Sequence, residues 1–250
     1  MRKIVALVFV SLFVMTSCKV EDSVSEPEPG TSIFNKIAEY QTDVSEPSGL
    51  TIDKSGKFLW TVSDNTNRVY KIDLQGKILK ELNYEGDDLE GVTFDASTNT
   101  LWIAEERLRE IVNIDTNGNE LSRHKVLNFE GDGNSGLEGI CFEENTAAIS
   151  ILNEKNPELY AKLDSNFSAT NIKQISAVDD LSGIFPYENN SFLIVSDESK
   201  KLIIWHPQNG VIAGYDLDYP KAEGVAYDFQ KNLLYIVSDK MEKLYVYKKQ

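Results

Sequence analysis

Five glycines, Gly49, Gly91, Gly139, Gly183 and Gly224, open five similar apolar segments at spacings of 42, 48, 44 and 41 residues. A period of this size marks a chain built from one supersecondary unit, which buries its apolar face only by stacking on the next copy. Each unit reads the same way. The first strands are Ser48–Asp53, Glu90–Asp95, Glu138–Glu143, Ser182–Glu188 and Glu223–Asp228. A turn rich in Asp, Ser, Asn and Gly follows, of the kind DKSGK or DASTN, because these residues tolerate turn geometry. Second strands are near-continuous apolar runs ending on polar residues at Asp64, Glu106, Asn153, Asp197 and Asp239. Such runs predict strands buried on both faces. Third strands alternate, as in RVYKID and KLIIWH, and fourth strands (Lys77–Tyr84, Glu120–Asn128, Thr170–Ser176, Val211–Asp218) are more polar.

This gradient predicts an all-β, five-bladed β-propeller with four antiparallel strands per blade, the first strand lining a central channel and the fourth facing solvent. The fifth unit stops after its third strand at Gln250, while Ile33–Asp43 precedes the first unit with no match in the repeat. The N-terminal segment therefore supplies the missing strand of the last blade. Closure of that kind removes the exposed edge of an open ring.

The units with EG- or SG-headed first strands and SD-ended second strands resemble the SdiA-regulated (YjiK-like) proteins, relatives of NHL-repeat propellers. The resemblance covers about Ile33 to Gln250. It implies a five-bladed propeller and a calcium site, with no settled biochemical activity.

The first 17 residues are a separate matter. Arg2 and Lys3 precede an apolar run from Ile4 to Met15, followed by Thr16, Ser17 and Cys18. The run is too short to span a bilayer, and the pattern is that of an export signal. A cysteine after small residues resembles the bacterial lipobox, which implies lipidation at Cys18. Residues 18–32 are polar, acidic and Pro-bearing, a tether with little to bury. Its Lys19-Val20-Glu21-Asp22 resembles the basic-then-acidic signal that exports some lipoproteins to the outer cell surface. The domain reading is signal peptide 1–17, lipid-anchored tether 18–32 and propeller 33–250. It places the protein in the cell envelope as an outer-membrane lipoprotein, periplasmic or surface-exposed, touching the membrane through its anchor only.

The net charge is −15; removing Arg2 and Lys3 with the signal takes it to −17. A chain so acidic, with scattered Lys and Arg, is unsuited to nucleic acid and suited to cations or basic partners. Once Cys18 is acylated, Cys141 stands alone, and the fold depends on its core rather than on disulfides. A monomer is expected.

Propeller topology brings the start of each first strand and the end of each second strand to one face. The oxygens expected around that mouth come from Glu90, Glu138 and Glu223, with Glu46 beside Ser48, and from Asp64, Glu105, Glu106, Asn153, Glu154, Asp197, Glu198 and Asp239. The ligand set for a metal is Glu90, Glu138, Glu223, Asp64, Glu105, Asn153, Asp197 and Asp239. Oxygen-only donors suit a hard cation, calcium above all, and the absence of His and Cys from the set argues against zinc. The plainer reading is that these Asp residues cap the turns after their strands. His124 and His206 fall at peripheral positions, and G-x-S-x-G is absent, so no nucleophilic site is expected. Tyr84, Arg107, Arg109 and Tyr187 are candidates for partner contact at the same face, and the opposite face is expected to carry only turns. The chain reads as a calcium-binding propeller that takes a protein or small-molecule ligand at its acidic mouth. The alternative is a calcium-dependent hydrolase or lyase.

Overall fold

The computed structural model describes residues 33–131 and 135–250. The expected export signal, Cys18 and the expected tether lie outside them. Among the described residues no helix is long and apolar enough to cross a membrane.

The chain opens with β1 (Phe34–Gln41) and then lays down its blades in order. The first holds β2 (Pro47–Ile52), β3 (Leu59–Ser63), β4 (Arg68–Ile72) and β5 (Ile78–Glu85). The second holds β6 (Leu89–Asp95), β7 (Thr100–Glu105), β8 (Glu110–Asp115) and β9 (Glu120–Lys125). The third holds β10 (Leu137–Glu143), β11 (Ala148–Asn153), β12 (Leu159–Leu163) and β13 (Ala169–Gln174). The fourth holds β14 (Ile184–Pro186), β15 (Phe192–Ser196), β16 (Lys201–His206) and β17 (Gly210–Asp216). The last holds β18 (Ala222–Asp228), β19 (Leu233–Ser238) and β20 (Lys243–Lys249).

Five four-stranded antiparallel sheets result, and the fifth is completed by β1 on the outer edge of β20. The register runs from Phe34 opposite Lys249 to Gln41 opposite Lys243. Beyond it, the Gln250 amide donates to the Ile33 carbonyl at 2.9 Å. The ring is closed by joining the two ends of the domain, as the unmatched N-terminal segment predicts.

The second strands are the most deeply buried, β3 and β15 throughout, and the fourth strands the most exposed. Five apolar clusters result, each shared by two neighbouring blades. Trp60, Val62 and Val69 of the first blade, for example, pack on Leu89, Val92 and Ile103 of the second. Each large aliphatic chain fully buried there contributes roughly 1.5–3 kcal/mol. Cys141 is one of these buried side chains and is unbonded.

The phased glycines set how tightly the ring closes at one end. A Cβ on Gly91 would stand 2.4 Å from the Glu138 carbonyl oxygen of the next blade, and one on Gly224 would stand 2.6 Å from the Leu50 amide across the closing seam. No side chain fits at those approaches. Next to the glycines the register of the first strand slips in four of the blades, between Pro47 and Leu50, Leu89 and Gly91, Leu137 and Ile140, and Ala222 and Gly224. Each slip is a β-bulge, a device that re-aims a side chain. The residues beside these glycines are Ser48, Glu90, Glu138 and Glu223.

Candidate functional site

The residue before each glycine and the residue after each second strand meet at one mouth of the ring. All of them but Glu106 line a cavity of about 100 Å³ together with Asp180 and Lys221. Its inner tier comprises Ser48, Glu90, Glu138, Ser182 and Glu223; Asp64, Glu154, Asp197 and Asp239 come from the second-strand ends. Glu106 completes that second tier from the second blade, since its carboxylate lies with those of Glu138 and Glu154, the ligand oxygens all within 4.8 Å of one another. A second group under the same limit is Asp88, Glu90 and Glu106.

Turn capping does not account for these carboxylates. Where Asp does cap a turn it lies elsewhere: Asp53 accepts the amides of Ser55, Lys57 and Phe58, and Asp73, Asp115 and Asp164 do the same after third strands. At the second-strand ends the preceding serine takes that role. Ser63 Oγ accepts the Thr66 amide at 3.0 Å, and Ser196 and Ser238 accept those of Ser199 and Met241 at 3.3 Å. Asp64, Asp197 and Asp239 are thereby left for the mouth.

The same alignment corrects two members of the expected ligand set. In phase with Ser63, Ser196 and Ser238 stand Glu105 and Asn153, not Glu106 and Glu154. Glu105 is buried within its blade, where it accepts a hydrogen bond from Tyr84 at 2.6 Å and an ion pair from Arg123. Asn153 donates to the carbonyls of Lys155 and Pro157, both at 3.0 Å, and accepts from Arg109 at 3.2 Å. Strand alternation turns these two away from the channel and brings the next residue to it. The partner-contact candidates move with them. Tyr84 and Arg109 are part of the internal network, Arg107 pairs with Asp87 and Asp88, and Tyr187 lies at the opposite face.

Burial and mutual repulsion make the mouth a place where carboxylates hold protons. Burial, then its shared contact with Asp88 and the charge of Glu154, pushes Glu106 up to about 7, against a 2.7 Å bond from the Gly136 amide. Glu223 is likewise raised to about 7 by burial, against the charge of Lys221 and a bond from Ser182. Burial and the neighbouring Asp239 raise Asp64 to about 6, and its Oδ1 is buried with no hydrogen-bond partner. Glu90 and Glu138 go well above the usual range, through burial first and then through each other's surroundings, Glu223 and Glu106 included. Ser48 bonds Glu90 Oε2 at 2.7 Å, which partly offsets the shift.

One side of the mouth carries its own cation. Lys221 places its ammonium 2.8 Å from Asp197 and 3.6 Å from Glu223, while its amide donates to the other Asp197 oxygen at 2.8 Å. Burial works against its charge, but the three acids Asp197, Glu223 and Asp239 hold it above the ordinary lysine range. Across the mouth, Glu154 is paired with Lys155 at 2.7 Å. Asp180, tied by Ser196 and by the amides of Asp197 and Glu198, braces the fourth-blade side. Sequence reasoning did not reach Asp88, Asp180 or Lys221. Their signal is positional: each stands three residues before a phased glycine.

A family model named SdiA-regulated matches residues 22–247. The chain belongs to the SdiA-regulated family. No curated protein matches this SdiA-regulated chain. Among solved structures, Myxococcus xanthus glutaminyl cyclase is similar at 12% identity, TM-score 0.69, over 86% of this chain and 95% of that one. A catalytically inactive virginiamycin B lyase from Staphylococcus aureus with quinupristin is similar at 20% identity, TM-score 0.51, over 81% of this chain and 66% of that one. Identities this low speak to the propeller fold and leave the chemistry of the SdiA-regulated mouth to its own residues.

Proposed function

We propose that this protein is a lipid-anchored propeller of the cell envelope whose acidic mouth binds a hard divalent cation, calcium first, and acts as a binding module through it. The observation that carries this is the pair of carboxylate groups sharing Glu106, each with its ligand oxygens within 4.8 Å of one another. Two oxygens bound to one calcium at about 2.4 Å each lie no further apart than about twice that distance. All the lining donors are oxygens apart from Lys221, which suits calcium or magnesium over zinc. The unpartnered Asp64 oxygen is a further donor on the cavity wall. Below about pH 7 protons compete for the same oxygens, Glu106 and Glu223 among them.

The alternative, a hydrolase or lyase, draws only on architecture shared with two enzymes at 12% and 20% identity. A mouth of about 100 Å³ is small beside the roughly 300–1,000 Å³ of ordinary small-molecule sites, which favours an ion over a substrate. Envelope localisation rests on the signal-like residues 1–17 and Cys18.

The test is thermal unfolding of the purified protein with calcium or EDTA. Calcium is expected to raise Tm, by an amount equivalent to about 2.7 kcal/mol at one hundred times Kd, and Glu90→Gln with Glu138→Gln is expected to abolish the rise. Identical melting curves in calcium and EDTA sink the proposal.

A further inference from the structure

The opposite face of the ring carries a cavity of about 430 Å³, not merely turns. Its origin is a change of size along the first strands. Glycine pinches the ring at the acidic end, and three residues further on stand Ile52, Phe94, Phe142 and Tyr227 in four of the blades. At this end the channel opens into a bowl lined by these side chains. One wall is an aromatic group in which Tyr227 meets Phe229 edge-on at 4.9 Å and Tyr187 at 5.1 Å. Phe94 and Phe142 are half-buried on the same lining, and Phe229 at the rim is 52% exposed.

Three of the four acids of the bowl already have partners within the chain. Glu143 is held by Ser150 at 2.7 Å and Lys162 at 2.8 Å. Asp228 is paired with Lys231 at 2.9 Å, and Asp53 is saturated by amides of its own turn. Glu144 and Lys54, of opposite sign, remain on the lining. The Tyr187 hydroxyl is buried beside Tyr227 and Lys249, and Lys249, 5.1 Å from that ring's centroid, bonds Glu188 at 2.6 Å. The bowl thus offers aromatic faces and little net charge, in a volume within the range of small-molecule sites.

We infer that this bowl is a second binding site, for a small uncharged molecule with a flat aromatic body. It is independent of any cation at the acidic mouth. The probe is N-phenyl-1-naphthylamine, a neutral aromatic amine that fluoresces on leaving water, titrated into the full chain. One saturable site per chain is expected. Phe142→Ala and Phe229→Ala are each expected to weaken it about tenfold, the scale of one lost aromatic contact, while EDTA leaves it unchanged. Phe229 is exposed enough for its variant to keep the fold, which an unchanged Tm verifies. Absence of saturable binding, or equal affinity in the wild type and the Phe229→Ala protein, overturns the inference.

Discussion

Glu106→Gln removes one ionisable group from the centre of the mouth while its amide oxygen can still accept the 2.7 Å bond from Gly136. Glu106 rises from 4.5 to about 7 on folding. A carboxylate whose folded pKa lies above its unfolded value gives the folded state the extra proton between the two. Stability therefore falls as pH climbs from about 4.5 to about 7 and is flat beyond. At roughly 1.4 kcal/mol per unit the ionised form costs at most about 3.5 kcal/mol. Neighbouring acids that take up the proton reduce this to about 1.5 kcal/mol. For a domain of this size that is about 3–6 °C in Tm. In EDTA at pH 8 the variant is expected to melt that much higher than the wild type, and at pH 4.5 the two should coincide. In saturating calcium at pH 8 the order should reverse, because the variant has lost a ligand. The assay is differential scanning fluorimetry over both pH values with each additive. A variant that melts lower than the wild type in EDTA at pH 8 refutes the charge argument. A variant whose advantage is untouched by calcium refutes the link to the ion.

Other outcomes follow from particular contacts. Gly91→Ala puts a Cβ 2.4 Å from a neighbouring carbonyl and is expected to destabilise by about 2–3 kcal/mol, read by denaturant unfolding, as overpacked sites do. Arg123→Met leaves Glu105 buried without its cation. It is expected to cost about 3–5 kcal/mol while the calcium-dependent change in Tm persists, since Glu105 is no part of the mouth; loss of the calcium response would return Glu105 to the ligand set.

The ring was legible because glycine cannot be replaced where neighbouring backbones touch, so its spacing marks every blade. The closing strand was legible as an unmatched segment paired with a unit one strand short. At the mouth, sequence led to the right elements and, in two blades, to the wrong residue. Glu105-Glu106 and Asn153-Glu154 each offer two polar side chains, and only phasing on the Ser-Asp pairs of the other blades shows which one strand alternation sends inward. Lys221 and Asp180 look like ordinary loop residues until the closed ring carries them to the cavity. The bowl was hidden for a different reason: Phe94, Phe142 and Tyr227 have the composition of core, and nothing in the sequence says that Phe94 and Phe142 stay half-buried on a cavity wall.

The seam between β1 and β20 has a consequence in time. The strand that completes the last blade is the first one synthesised, and its partner is almost the last. Until Lys243–Lys249 emerges, β1 has no ladder to join, and the pairing spans nearly the whole domain. Contacts of such sequence separation are slow to form, and unpaired edges are open to other chains meanwhile. The acidic mouth is equally late, since it lacks Glu223 and Asp239 until the final blade is made. A half-synthesised chain therefore has neither a sealed ring nor a complete set of mouth carboxylates, and both are finished in the same blade.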